Sequence, residues 1–400
     1  MTATTDRALQ AIRVIDFTTT IAGPHCTRLL ADLGADVIKI EPPEGDMMRA
    51  RPPLRNGAST SFGQLNTGKK SVVLDLKRPE AVAAAKRLIA AADVVVENFR
   101  PGVMRRFGLD YPVLQATKPD LVYCAISGYG QTGPSADLPA YAPVIHASSG
   151  YDLAHLAYQG EPRRPDYCGI YIADVLTGTY AFGAIMTALF RRKATGAGEL
   201  IDVSMLESML SLTLSEIQLA QFPNAYVPGR PVFGPIATKD GYLNLSIASE
   251  RTFQNLAAAA GRRDWISDPR FAKYPDRRAN WGQLIEELEA WSTTLPSVEV
   301  QAIFDRHSVP ASPYRTVREA MTDPQLAHRD AFAEIRDGGG SFLALNPPFR
   351  LSGAKTAARP FVAALGEHTT SVLAELGYTA DEIAGFADAG FAAAATSSGS

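Results

Sequence analysis

The sequence predicts an α/β protein: a Rossmann-like large domain built on a parallel sheet, with a smaller α+β domain beside it. Three observations carry this expectation. Residues 13–41 read as strand, helix, strand, a unit that normally builds a parallel sheet. Residues 71–127 repeat the alternation, with short apolar strands around an alanine-rich helix. Four hundred residues exceed one ordinary core, and a proline- and glycine-rich stretch at 227–235 offers a linker. The large domain is therefore expected over 1–225 and the small one over 226–340.

In chain order, 13–17 is expected as a strand, 18–24 as a turn, 25–33 as a helix stopped by Gly34, and 36–41 as a strand. The turn holds Ala22-Gly23-Pro24 and not G-x-G-x-x-G, so the dinucleotide fingerprint is absent. This weakens the reading of an NAD-dependent oxidoreductase. The small residues still let a ligand approach backbone N–H groups at a helix start. Next come a strand at 71–76, a helix at 79–92 with proline in its first turn, and a strand at 94–96. Ligands gather beyond the carboxyl ends of strands in doubly wound sheets. Asn98, Phe99 and Arg106 are thus candidate contacts, with turn chemistry for Asn98 and a solvated face for Arg105 and Arg106 as the alternative. A strand at 121–127 leads into a glycine-rich loop at 128–134, a weak motif by itself. Beyond Met205 a helix is expected to about 222, then a hairpin at 239–247 and helices at 250–260, 281–294 and 297–307. An extended stretch at 343–352, a helix at 366–378 and a disordered tail from Phe391 close the chain.

The stretch 167–205 is the most informative. Asp174 stands where an apolar approach gives way to a long run of small and apolar residues, ending in Arg191-Arg192-Lys193 and Gly196. Basic residues in a last turn and glycine beyond it are helix-stop signals. Asp174 therefore falls at or near the N-cap, beside the positive end of the helix dipole. The helix has almost no polar residue between Thr179 and Arg191, so burial is expected. Two readings of Asp174 stand at this point: a capping residue, or an ionised nucleophile at a dry ligand-binding face. His146 likewise reads as a satisfied core histidine or as a base.

Composition limits the partners. A 46% hydrophobic, 20% charged chain with net charge −3 is a globular protein without the basic surface that nucleic acid requires. No apolar run of membrane-spanning length is evident, and residues 1–10 lack a signal-peptide core. A cytoplasmic location is expected, without a membrane. Cys26, Cys124 and Cys168 suggest buried free thiols, and six scattered histidines argue against a metal cluster.

The residues around Asp174, A-D plus a small-residue helix plus R-R-K-x-T-G-x-G-x-x-I-D-V-S-M, resemble the class III CoA-transferases of the formyl-CoA and carnitine type. The likeness continues in V-I-D-F-T-T-T-I-A-G-P (14–24), L-G-A-D-V-I-K-I-E-P-P-E-G-D (33–46), L-N-T-G-K-K-S-V-V-L-D-L (65–76) and V-V-V-E-N-F-R-P-G (94–102). It returns in G-Y-G-Q-T-G-P (128–134) and L-G-E-H-T (365–369), and is loose over 225–340. The resemblance implies that Asp174 is a covalent nucleophile. It also implies that Thr20, Ala22, Leu74, Asn98, Phe99, Arg106 and Met205 touch CoA, that Tyr141 lies near the reacting centre, and that His146 has a hydrogen-bonding role. It further implies a return of 341–400 to the large domain and two subunits interlocked as rings.

The implied activity moves CoA from an acyl-CoA to a free carboxylic acid, with CoA entering as part of the substrate and no permanent cofactor or metal. Backbone N–H groups around Ile21 and Ala22 could stabilise the oxyanion. Ile21 and Pro42 stand where formyl-CoA transferases carry glutamine and arginine, which weakens formyl or oxalyl chemistry and suits a larger, less polar acyl group. The nearest rival is an α-methylacyl-CoA racemase, which shares the aspartate but needs a histidine where this chain reads Ala140-Tyr141-Ala142. Glu250 resembles a racemase glutamate and keeps that rival open. A CoA-binding protein without turnover is the rival of another class.

Overall fold

The structure is a computed structural model that describes residues 6–159, 164–165, 168–222 and 232–388. The chain divides into two compact units: Met1–Ile217 with Ala327–Ser400, and Gln218–Leu326. In the first unit six strands form one sheet: β1 (Arg13–Asp16), β2 (Asp36–Glu41), β3 (Lys70–Val73), β4 (Val94–Glu97), β5 (Val122–Ser127) and β6 (Glu199–Ser204). Their order is β3–β2–β1–β4–β5–β6, and every pairing is parallel. The order reverses between β1 and β4, the point where open parallel sheets leave a crevice beyond their carboxyl ends.

The central strands are buried along their whole length because helices cover both faces. One face packs under α2 (Pro79–Ala90), whose Ala81, Ala84, Ala85 and Leu88 recur at helical spacing. The other packs under α1 (Ala22–Asp32) and a 24-residue helix, Ile172–Thr195, through Cys26, Leu30, Ala181 and Ile185. Helix α1 begins at Ala22, three residues before the expected start, since Pro24 is tolerated in a first turn whose N–H groups have no intrahelical partner. Helix α3 (Ala142–Ser148) follows the glycine-rich loop, and the 24-residue helix is α4.

Helix α4 ends at Thr195 with Gly196 in the left-handed region at φ 71°, as the stop signals indicated. Its expected burial is only half met. Ala173, Asp174, Thr177, Gly178, Ala181, Ile185 and Ala188 face inward, whereas Val175, Tyr180 and Phe190 are exposed, the last at 78%. The helix is also long and apolar enough to cross a membrane, which corrects the expectation that no such run exists. Beyond it, the single helix expected after Met205 is two: α5 (Met205–Leu210), capped by the Ser204 hydroxyl, and α6 (Leu214–Gln221).

The second unit pairs β7 (Phe233–Ala237), β8 (Tyr242–Ser246) and β9 (Ala311–Pro313) antiparallel. Helices Glu250–Ala259, Trp281–Ser292 and Ser297–Arg306 pack on them around Trp265, Phe271 and Phe304. Residues 227–231 of the expected linker lie outside the described residues, as does the tail from Phe391. The later unit junction precedes the expected 340/341 because the hairpin β10 (Phe332–Asp337) and β11 (Gly340–Leu345) is fastened to the first unit. Asp337 pairs with Arg55, and the Gln64 amide donates to the Leu343 carbonyl at 2.9 Å.

Candidate active site

Helices α1 and α4 cross at their amino ends. Gly178 makes the crossing close: a methyl group placed on it would stand 2.4 Å from the Ala22 carbonyl oxygen. One turn earlier on the same face of α4 lies Asp174. It is the third residue of the helix and not the N-cap, which is Tyr171. The partner that bears on its titration comes from the other helix. Burial raises the Asp174 pKa to about 6, and the backbone N–H of Ala22 pulls against that rise. Ala22 opens α1, so its N–H is one of the donors a helix leaves unmatched. Two helix amino ends thus converge on one carboxylate, which is 9% exposed.

His146 holds the first turn of α4 from behind. Its Nε2 accepts from the Ala173 N–H at 3.1 Å, and the side chain is 1% exposed. An accepting Nε2 is unprotonated, and burial lowers the His146 pKa in agreement. The ring therefore serves the helix terminus beside Asp174 and does not face the cavity as a base.

The loop after β1 is tied to the turn after β4. Asn98 Oδ1 accepts from the Thr19 N–H at 2.9 Å, and its Nδ2 donates to the Thr19 carbonyl at 2.8 Å. Thr19 Oγ1 also donates to Asp46 at 2.9 Å. Beneath this loop lies a buried charge network. Lys69 Nζ meets Asp16 at 3.1 Å, and Lys39 Nζ meets Asp46 at 2.9 Å while donating to the Thr18 carbonyl at 2.6 Å.

These elements enclose a cavity of about 200 Å³ at the carboxyl ends of β1, β4, β5 and β6. Asp174 lines it together with Thr20, Ala22, Asn98, Phe99, Tyr141 and Met205 from the expected set. Tyr141, the N-cap of α3, is 63% exposed at its edge. Ile21, Leu74 and Arg106 do not line it. Ile21 packs with Met48 and Phe62, so its side chain gives no support for a larger acyl group. Leu74 is buried in the core under α2. Arg106 closes a short helix, Val103–Arg106, with its own side chain exposed. Glu250 belongs to the second unit, where it pairs with the fully buried Arg277. Arg100, Ser127, Met47 and Leu138 also line the cavity and were not anticipated. Arg100 follows the E-N-F turn, so the strand-end rule pointed to it; Met47 opens a single short 3-10 turn, Met47–Ala50, and Leu138 lies in an irregular segment, neither of which carries a periodic signal.

The profile of CoA-transferase family III matches residues 9–369. The chain belongs to CoA-transferase family III. It is 33% identical to succinate–glutarate CoA-transferase of Agrobacterium fabrum, over 92% of this chain and 95% of that protein. It is 30% identical to formyl-CoA:oxalate CoA-transferase of Escherichia coli O157:H7, over 94% and 97%. Among solved structures, a CAIB/BAIF family protein from Brucella suis superposes with a TM-score of 0.81 at 32% identity, covering 93% of this chain and all of that one. The protein is accordingly an enzyme, a CoA-transferase acting on acyl-CoA.

Proposed function

We propose that this CoA-transferase works through covalent catalysis by Asp174. One observation supports this most: a nearly buried carboxylate in the cavity faces a helix N–H and, among the described residues, is not matched to a cation, so it is held available for bond formation. A carboxylate oxygen of Asp174 attacks the thioester carbonyl carbon, and the C–S bond breaks to release CoA thiolate and an aspartyl anhydride. The thiolate then attacks the aspartyl carbonyl, giving an aspartyl–CoA thioester and the free donor acid. The acceptor carboxylate attacks that thioester, and the same two steps run in reverse. No water, redox partner or nucleoside triphosphate enters the balance. The Ala22 N–H stabilises the oxyanion as it forms, and the apolar flank of Ile126, Leu138 and Met205 keeps water from the anhydride.

The acids exchanged are carboxylates of the kind named for the relatives, which include succinate, glutarate and oxalate. The exposed apolar side of α4, with Tyr180 and Phe190, favours a homodimer in which a second copy covers it. Such a cover also accounts for the helix without a membrane. Free cysteines suit a cytoplasmic enzyme.

The test is a matrix of acyl-CoAs against succinate, glutarate, oxalate and longer acids, run with wild type and Asp174→Ala. Exchange by wild type and none by the variant is expected. Turnover retained in Asp174→Ala removes the mechanism, and deuterium uptake at the substrate α-carbon without exchange would install the racemase instead.

A further inference from the structure

Ser127 is the last residue of β5 and stands opposite Ser204, the last residue of β6. The Ser204 hydroxyl accepts the Glu207 N–H at 3.3 Å, where it caps α5. The Ser127 hydroxyl has no partner, although its oxygen is closed to solvent and the residue is 7% exposed. A buried hydroxyl without a hydrogen bond lowers stability, so its place in the fold needs a physical reason. Among the described residues whose buried polar side-chain atoms lack a partner, Ser127 alone lines the cavity. Gly128, Ala140 and Met205 line it too. Ala140 and Met205 pack in the apolar cluster that holds Ala173, the residue before Asp174. The wall that carries Ser127 is thus packed against the first turn of α4, while Ala22 reaches Asp174 from α1.

We propose that Ser127 is a second catalytic residue, whose hydroxyl donates a hydrogen bond to the thioester oxygen while Asp174 attacks the carbonyl carbon. The proposal rests on the reading of Asp174 as the nucleophile. As the new C–O bond forms, the carbonyl π pair moves onto oxygen. Collapse of that oxyanion restores the carbonyl and breaks the C–S bond, releasing CoA thiolate. Ser127 keeps its proton throughout. The Ala22 N–H already bears on the Asp174 carboxylate. A second donor that begins without a partner gives up no bond in the ground state, so its hydrogen bond is realised only where charge develops. Rotation about χ1 from one staggered well to another carries Oγ toward the cavity, and catalytic contacts of this kind tighten only in the reacting complex.

The test combines steady-state kinetics, calorimetry with CoA and thermal unfolding for wild type, Ser127→Ala and Ser127→Cys. Ser127→Ala should lose about 10²-fold in kcat. Its Kd for CoA should stay within about twofold of wild type, because the lost bond belongs to the transition state. Its Tm should be equal or higher, since an orphaned polar group has been removed. Ser127→Cys, of similar shape but with only a weak S–H donor, should fall between the other two in kcat. The acid limb of kcat/KM should keep its wild-type position in both variants. A kcat for Ser127→Ala within about threefold of wild type overturns the proposal, as does a lowered Tm in both variants, which would make the hydroxyl part of the scaffold. A shifted acid limb overturns it too, since the hydroxyl would then serve the Asp174 carboxylate. Turnover retained in Asp174→Ala, run alongside, would instead remove the nucleophile on which the proposal stands.

Discussion

Asp16 and Asp174 are both buried acids at the same edge of one sheet, yet their surroundings are opposite. Burial pushes Asp16 upward, but Lys69, Lys39 and the hydroxyls of Thr18 and Thr27 outweigh it and hold the carboxyl below its usual range. Burial pushes Asp174 upward too, and only the Ala22 N–H opposes it. The first acid is spent on holding the loop that carries Thr19 and Thr20. The second is left with its bonding capacity open. Among the described residues, the absence of a cationic partner, more than burial, separates an acid available for chemistry from one that builds the scaffold.

The sharpest way to break the comparison is to neutralise both. Asp16→Asn strands Lys69 in the interior and should cost about 3–5 kcal/mol of stability, read by chemical denaturation. Asp174→Asn should cost none at pH 8. The folded-state pKa of about 6 lies above the ordinary aspartate value of 3.8, so ionised Asp174 opposes folding at high pH, and that cost fades as pH falls through 6. A large loss of stability in Asp174→Asn would place Asp174 in the scaffold as well.

A smaller effect is expected from Gly178→Ala. The added methyl collides with the Ala22 carbonyl, parts α1 from α4 and draws the Ala22 N–H away from Asp174. Loss of about 10²-fold in kcat with little change in acyl-CoA KM is expected, in line with removal of an oxyanion donor. Equal kcat would show that the crossing does not serve the reaction. The acid limb of kcat/KM should follow one ionisation near pH 6, since the nucleophile must be charged; a limb near pH 4 would mean that the burial of Asp174 is relieved in the working enzyme. Least affected is Thr19→Val, which cuts the link to Asp46 and should raise KM for acyl-CoA a few-fold with kcat unchanged.

Much of this architecture was legible in the sequence. The strands at 13–17 and 36–41 and the end of α4 at Gly196 follow from local apolar patterning and stop signals. Asp174 stood out by its place before a small-residue helix. The resemblance also pointed to the Ala22 N–H, but its pairing with Asp174 was not legible, because the Ala22–Gly178 contact joins segments more than 150 residues apart and rests on a missing side chain. Leu74 and Ile21 show the converse: matching positions in a motif say nothing of which way a side chain turns, and both turn into the core. The hydrogen-bonding role of His146 was implied by the resemblance, but its partner needed coordinates, since only geometry reveals that its acceptor nitrogen meets the Ala173 N–H. The exposed side of α4 misled the reading of burial because apolar composition does not state what covers it.

The most direct measurement traps the enzyme during turnover. Wild-type protein is incubated with acyl-CoA alone, treated with borohydride or hydroxylamine, digested and mapped by mass spectrometry. Modification confined to Asp174 is the predicted result. A label on another residue, or an unmodified chain while CoA still passes between acids, would contradict it.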